Sequence, residues 1–419
     1  MIWHQLVVLS LASCIYVECS RILFLAPVAI KSHMQFFSGI TKALTDNGHE
    51  VTMLMPFSRG QPHVKEIVIN VTDFGGFIKD PFKNGISTTN NMLQNWSPLC
   101  LEALATKEAQ ELKEKKFDLV FLSIALNDCF LGIIHDMKVP YIWALTTGII
   151  GSYSSELGGS PYFSSFVPHL FTKKATTAPD GLGFLDRALG SLVLDTMGKI
   201  ATSYYLDGVD KDCRKAGLCA ADMPSLYELR MNASMVFINS IQSMETVAQP
   251  HTPGILHTGG VHLRSAQALP QELEEWVQAS GDAGFIYFSL GSVVRPSEMP
   301  DETLRIILTV LGSLQQCVLW KWDQDSIENL PANIRLAKWL PQQDILGHEK
   351  IRVFITHGGL HSTQEAQYHS CPVISIPLFF DQHMNMAAAE SQGWAHILSW
   401  DNFTEESLRG AVDHALNDD

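Results

Sequence analysis

The chain reads as an α/β protein built from two halves, each organised on a parallel sheet, and three observations predict it. At 419 residues it exceeds what one hydrophobic core ordinarily organises, so two domains are expected. Short apolar runs rich in Val, Ile, Leu and Phe recur along it, the pattern of strands buried on both faces. Segments of helical length, punctuated by glycine turns, separate those runs as βαβ units require.

In the first half, residues 21–27 (RILFLAP) are the first buried strand, followed by a loop over 28–31 and an amphipathic helix over 34–47. A turn at Gly48 then enters a strand over 51–55. Ligands at such sheets sit beyond the carboxyl ends of the strands, which is where His33 falls. Residues 117–124 are another buried strand, Asn127 and Asp128 open a helix ending near Met137, and 139–145 is the next strand. The stretch 151–199 is rich in Gly, Ser, Pro and aromatics; Tyr153, Tyr162, Phe163, Phe166 and Phe171 are read as core or pocket side chains. A strand over 235–239 closes this half, and prolines and glycines over 246–270 read as a linker. The domain expectation is therefore 21–245, linker 246–270, and 271–419.

The second half opens with a helix over 271–279 and a strand over 285–290 that enters the turn Gly291-Ser292. A helix over 302–315 and strands over 317–322 and 334–337 lead to the densest stretch of the chain, residues 339–382. There 352–356 is a buried strand, His357-Gly358-Gly359 breaks it, and a helix begins near Ser362, an N-cap candidate with Glu365 three residues on. A strand over 372–377 follows. Strand, glycine turn and helix N-terminus together make an anion site, because unpaired amides and the helix dipole favour negative charge. His357 adds a donor, while Glu365, Asp381 and Gln382 suit hydroxyls, so the ligand expected is a sugar nucleotide.

Composition narrows the function classes. The net charge of −15 argues against nucleic acid and anionic membrane as general partners. The apolar run 6–17, ending at Glu18-Cys19-Ser20, reads as a signal peptide over 1–20. Sequons at Asn70, Asn95, Asn232 and Asn402 fit a lumenal chain. Cys213 and Cys219 are read as free thiols rather than a small disulfide loop, and no Cys/His spacing suggests a metal site. No apolar run of about 18 residues follows the signal. An NAD-dependent oxidoreductase is a poor fit, because no G-x-G-x-x-G follows either leading strand.

With Trp339-x-Pro-Gln342, His357-x-Gly359, Glu365, Pro372, Pro377 and Asp381-Gln382 in place, residues 339–382 resemble the signature of the UDP-glycosyltransferases of glycosyltransferase family 1, the animal endoplasmic-reticulum type. The NDCFLG stretch beginning at Asn127 is similar to invertebrate members. The resemblance implies the GT-B fold, two Rossmann-like domains facing a cleft. It implies an inverting transfer of a hexose, glucose or glucuronic acid, from a UDP-sugar to a small lipophilic hydroxyl compound, with no metal or other cofactor. Its full-length members end in a membrane anchor, so the chain is expected to be a truncated form. A lumenal location, contact with a membrane surface and homo- or hetero-oligomers are likewise implied.

Residue by residue, the resemblance makes His33 the catalytic base. The aspartate that the family sets beside it corresponds to Ser123 here, and Asp128 is the candidate to stand in for it. Trp339 would stack on uracil and Gln342 would hold the ribose or base edge. Ser292 and His357 would bind the diphosphate, with Gly359 and the backbone of His361 and Ser362 beside them. Glu365 would take the ribose hydroxyls, and Asp381 and Gln382 the sugar hydroxyls. Lys321 is read as a surface lysine rather than a phosphate ligand. The alternative function is a non-catalytic relative that binds UDP-sugar or regulates a partner.

Overall fold

The computed structural model describes residues 19–72, 81–82, 97–124, 126–148, 156–160, 167, 183–242 and 250–417. Nearly all of the signal-peptide segment, Asn95 and the five aromatics named between 151 and 199 lie outside the described residues. A seven-stranded parallel sheet holds β1 (Arg21–Leu25), β2 (Glu50–Met55), β3 (Val64–Val68), β4 (Leu119–Ser123), β5 (Tyr141–Leu145), β6 (Met235–Ile238) and β7 (Ile255–His257), in the order β3-β2-β1-β4-β5-β6-β7. A six-stranded parallel sheet holds β8 (Phe285–Ser289), β9 (Cys317–Lys321), β10 (Ile334–Ala337), β11 (Ile351–Thr356), β12 (Val373–Ser375) and β13 (Ala395–Ile397), in the order β10-β9-β8-β11-β12-β13. Both sheets reverse direction of growth beside their first strand, between β1 and β4 and between β8 and β11. Such reversals leave a crevice at the strands' carboxyl ends.

Alternation along each strand explains the layering. In β1, Leu23 and Leu25 enter one apolar cluster while Ile22 and Phe24 enter the other. In β8, Ile286 and Phe288 face one side while Phe285 and Tyr287 face the opposite one. Each sheet is therefore covered on both faces, which is why its central strands are apolar throughout. Three edge strands, β3, β7 and β13, escaped sequence reading because they are short or only partly buried. β3 (VKEIV) sets two adjacent charged residues between apolar ones and is only partly buried, and β7 has three residues. The segment read as a linker thus carries the last strand of the first sheet, paired with β6 at Val236–Ile255.

The halves are sewn together at several points. Beyond β7 the chain passes against α1 (Lys31–Asp46), where a Cβ on Gly39 would lie 2.3 Å from the Val261 carbonyl. It then meets the second half: Gln343 Nε2 donates to the His262 carbonyl at 3.1 Å, and Arg264 pairs with Asp344. Phe82 is buried in the apolar cluster of the second half, its carbonyl accepting from Trp400 Nε1 at 2.9 Å. Among the described residues no helix is long and apolar enough to cross a membrane.

Two disulfides are formed, Cys100–Cys129 and Cys213–Cys219. The free-thiol reading of Cys213 and Cys219 is corrected. Cys213 ends a long helix and the chain turns back at Gly217, so six residues of separation suffice for the two side chains to meet. Asn70, Asn232 and Asn402 are all exposed. Closure of the 29-residue separation restricts the unfolded chain more than closure of six. Replacing both cysteines of the Cys100–Cys129 pair by serine should lower stability by about 3.5 kcal/mol, against about 2 kcal/mol for the other pair. Urea unfolding of the two double variants measures the difference.

Candidate functional site

The crevice of the second sheet is built by the turns that follow β8 and β11. After β8, Gly291 takes φ +81°, and a Cβ there would lie 2.6 Å from the His357 ring. After β11, a Cβ on Gly359 would come within 2.8 Å of the same ring. Gly358, at φ +84°, would strike Met386. His357 therefore occupies a slot that only glycines on either side leave open. Its imidazole is held down at about 4 by burial and by the neighbouring Lys321 charge.

Gly359 is also the N-cap of α2 (Leu360–Tyr368). The expected start at Ser362 is corrected: Gly359 already has the extended backbone of a cap, with φ −63° and ψ 140°, so the helix begins at Leu360. The first helical hydrogen bond runs from the Thr363 N–H to the Gly359 carbonyl at 3.0 Å. The amides of Leu360, His361 and Ser362 thus have no partner within the helix and point out of its tip. Ser362 and Glu365 face inward rather than capping. Gln342 Nε2 donates to Ser362 Oγ at 2.9 Å and to Glu365 Oε2 at 2.5 Å, and Tyr287 donates to Gln342 Oε1 at 3.2 Å. Burial raises the Glu365 carboxyl to about 7.

Trp339 is 59% exposed, so its ring is a platform and not core. Ser292 is exposed on the glycine turn. Asp381 accepts from Asn385 Nδ2 at 2.8 Å, and burial raises its carboxyl. Gln382 Oε1 accepts from the amides of Leu378 and Phe379 at 2.8 and 3.1 Å, holding the turn that presents Asp381.

His33 lies in the first turn of α1, not in a loop before it, because the Met34 amide already bonds back to the Ile30 carbonyl. Its Nδ1 is buried without a hydrogen-bond partner among the described residues, and burial pushes the imidazole down to about 4. The helix N-terminus further disfavours a charge there. Among the described residues no carboxylate shifts the titration of His33. The Asp128 carboxylate is fully buried, pairs with Arg230 and accepts from Tyr205 at 3.4 Å. It was drawn inward because Arg230, over the Trp143 face, is buried and needs a counter-charge. Asn127, its neighbour, is the residue that reaches the loop before His33, exchanging two hydrogen bonds with the Val28 backbone at 3.0 and 3.2 Å. Ser123 is buried at the end of β4, its hydroxyl without a partner among the described residues.

The two halves meet at this place. Asn239, just beyond β6, stands 3.4 Å from His361 Nε2, and its carbonyl accepts from Gln364 Nε2 at 3.4 Å. His361 is pushed well below its ordinary value by burial and by repulsion from His262 and His33. His361, in the first turn of α2, is thus close enough to His33 for their charges to interact. Sequence reading missed Gly291, Asn239 and His262, whose ring packs on His361 with centroids 4.9 Å apart. Asn239 follows the carboxyl end of a strand, and that position was the available signal.

Residues 68–419 match the family described as UDP-glucoronosyl and UDP-glucosyl transferase. The chain belongs to this family. It is 29% identical to UDP-glycosyltransferase UGT5 of Dactylopius coccus, over 98% of this chain and 79% of that one. It is 30% identical to human UDP-glucuronosyltransferase 2B15, over 92% and 76%. Among solved structures, the glycosyltransferase of kitacinnamycin superposes with a TM-score of 0.64 at 15% identity, covering 96% of this chain and 91% of that one. The fold is GT-B, and the protein is a glycosyltransferase that uses a UDP-sugar donor.

Four buried imidazoles set the acid response of the fold. His33, His262, His357 and His361 are all depressed by burial, so below the ordinary histidine value of about 6.5 the unfolded chain takes up protons that the folded chain refuses. Glu365, between about 7 and the ordinary carboxylate range, and Asp381, whose carboxyl burial also raises, act oppositely, but they are two groups against four. The melting temperature should fall steadily from pH 6.5 to pH 4, as differential scanning calorimetry can record, and the slope should flatten in a His262→Gln variant. A separate test of the glycine slot is Gly291→Ala. The left-handed backbone alone costs about 1–2 kcal/mol, so this variant should melt several degrees lower, whereas Gly410→Ala, where a Cβ meets nothing, should not.

Proposed function

We propose that this glycosyltransferase moves a hexose, with glucose favoured, from UDP-sugar to a hydroxyl of a small lipophilic acceptor, inverting the configuration at C1. The reading rests on the nearness of His33 to His361 in the first turn of α2, close enough for their charges to interact. The acceptor oxygen attacks C1 as its proton passes to His33. The bond from C1 to the β-phosphate oxygen breaks, and its electron pair leaves with UDP. A base must begin neutral, and both burial and the N-terminal position in α1 keep His33 so at neutral pH.

In this reading Trp339 stacks on uracil, Gln342 and Glu365 meet the nucleoside edge and ribose hydroxyls, and Ser292, His357 and the amides of Leu360, His361 and Ser362 hold the diphosphate. Dipoles and donors aimed at the departing phosphate stabilise the charge that develops on it. Asp381 and the amide nitrogen of Gln382 hold the sugar. The partner of Asp381 is Asn385 rather than a cation, which suits sugar hydroxyls better than a sugar carboxylate and supports glucose over glucuronic acid. The three exposed sequon asparagines and the two disulfides support a lumenal location.

Turnover of labelled UDP-glucose with a panel of phenols tests the reading. His33→Ala should lower kcat roughly 10²–10⁴-fold while leaving UDP affinity within about twofold. Turnover that survives this substitution would remove His33 as base, and a preference for UDP-glucuronic acid would reverse the sugar assignment.

A further inference from the structure

Lys321 ends β9, two strands from the tip of α2, and its surroundings are unusual for a lysine. The side chain is largely withdrawn from water. Its Nζ donates to the Gly291 carbonyl at 2.7 Å and lies 5.2 Å from the centre of the Trp339 ring. Its charge also reaches His357. A single ammonium thus lies against the glycine turn and the aromatic platform, and its charge is felt by the slotted histidine.

What it lacks is a counter-charge. The chain carries 44 acidic residues against 29 Lys and Arg. Among the described residues, the buried Arg230 and the half-buried Arg264 have each found a carboxylate. Lys321 has a neutral carbonyl instead. The charged groups that face it are both basic or neutral: Lys31, from the first turn of α1 in the opposite half, and His357 at the end of β11. Asp323, two residues along, is turned to Ser297, accepting from its amide and hydroxyl at 2.9 and 2.6 Å. Withdrawing an ammonium from water without an opposing charge is costly, and such a site is retained where a ligand supplies that charge. The ammonium has three N–H donors and one visible acceptor, so two remain to point into the crevice.

We propose that Lys321 is a donor-recognition residue whose ammonium is the resident counter-charge for the diphosphate of the UDP-sugar and of the UDP that leaves. The inference rests on the placement of the diphosphate at the Gly291-Ser292 turn and the tip of α2. It adds a directional element to that placement. The amides and His357 approach the phosphates from the helix side, and Lys321 approaches from beneath the Trp339 ring. Trp339 is then held between the ammonium on one side and the base on the other, so a cation–π contact braces the stacking platform. Lys31 brings a second positive charge from the first half. Its repulsion of Lys321 in the empty crevice becomes a shared attraction once a dianion lies between them.

The site has a pH signature of its own. Burial and Lys31 lower the ammonium to about 8 in the free protein. A bound diphosphate favours the protonated form, so affinity is full below that value and declines as pH rises above it.

Isothermal titration of UDP and of uridine into the purified full chain tests the proposal. Lys321→Met should weaken UDP about 10- to 150-fold, the range for a hydrogen bond to a charged group, and leave uridine within about twofold. From pH 7 to pH 9.5 the wild-type dissociation constant for UDP should rise, while Lys321→Arg should bind UDP with no such rise. The ligand-free Lys321→Met protein should melt no lower than wild type, since an uncompensated charge has been removed, yet gain less from UDP. Equal loss of UDP and uridine, or unchanged UDP binding while Trp339→Ala and His357→Ala abolish it, overturns the role of Lys321 and leaves the site reading intact. Unchanged UDP binding in all three variants means instead that the diphosphate lies elsewhere.

Discussion

The imidazole of His357 is the piece on which the second half's crevice depends. It lies between Gly291 and Gly359, so the turn after β8 and the turn after β11 can approach only because neither carries a side chain. That approach sets Ser292, the tip of α2 and the carbonyl held by Lys321 around one small volume. The two glycines are separated by 68 positions in the chain, yet they answer to one ring. A larger residue at either position would open the crevice rather than merely strain a loop.

A second constraint joins the halves. Asn239 and the chain from Val261 to Arg264 belong to the far side of the first sheet, yet they touch His361, Gln364, Gln343 and Asp344. These contacts are polar and range from buried to partly exposed, and they hold α2 and the helix that carries Gln343 and Asp344 against the first half. Asn127 plays the corresponding part within the first half. It pins the Val28 loop that leads into α1, and so fixes the turn on which His33 rides. The carboxylate next to it, Asp128, balances the buried Arg230.

Much of this was legible in the sequence because the strands are apolar throughout and the signature from Trp339 to Gln382 keeps its spacing. The parallel sheets and the glycine turn both follow from those features. The rest depended on contacts between residues distant in sequence. Asp128 reads as a free helix-opening carboxylate until Arg230, 102 residues away, is seen to hold it. Lys321 reads as solvated until Trp339 is seen to cover it. Ser362 has the chemistry of a cap, but the glycine before the helix took that place. Edge strands β3, β7 and β13 were hidden by partial exposure and shortness, since half-buried strands carry half the apolar signal.

Phe82 has a consequence for how the molecule is made. Its ring packs 4.9 Å from that of Trp400, inside a cluster whose other members are all at position 286 or later. At about 5–20 residues per second, a ribosome needs roughly 15–60 s to add the intervening 318 residues. For that interval an early segment waits, uncovered, for a partner that does not yet exist. The two lobes therefore cannot mature strictly one after the other, and a chaperone shielding this phenylalanine during synthesis would meet a need written into the topology.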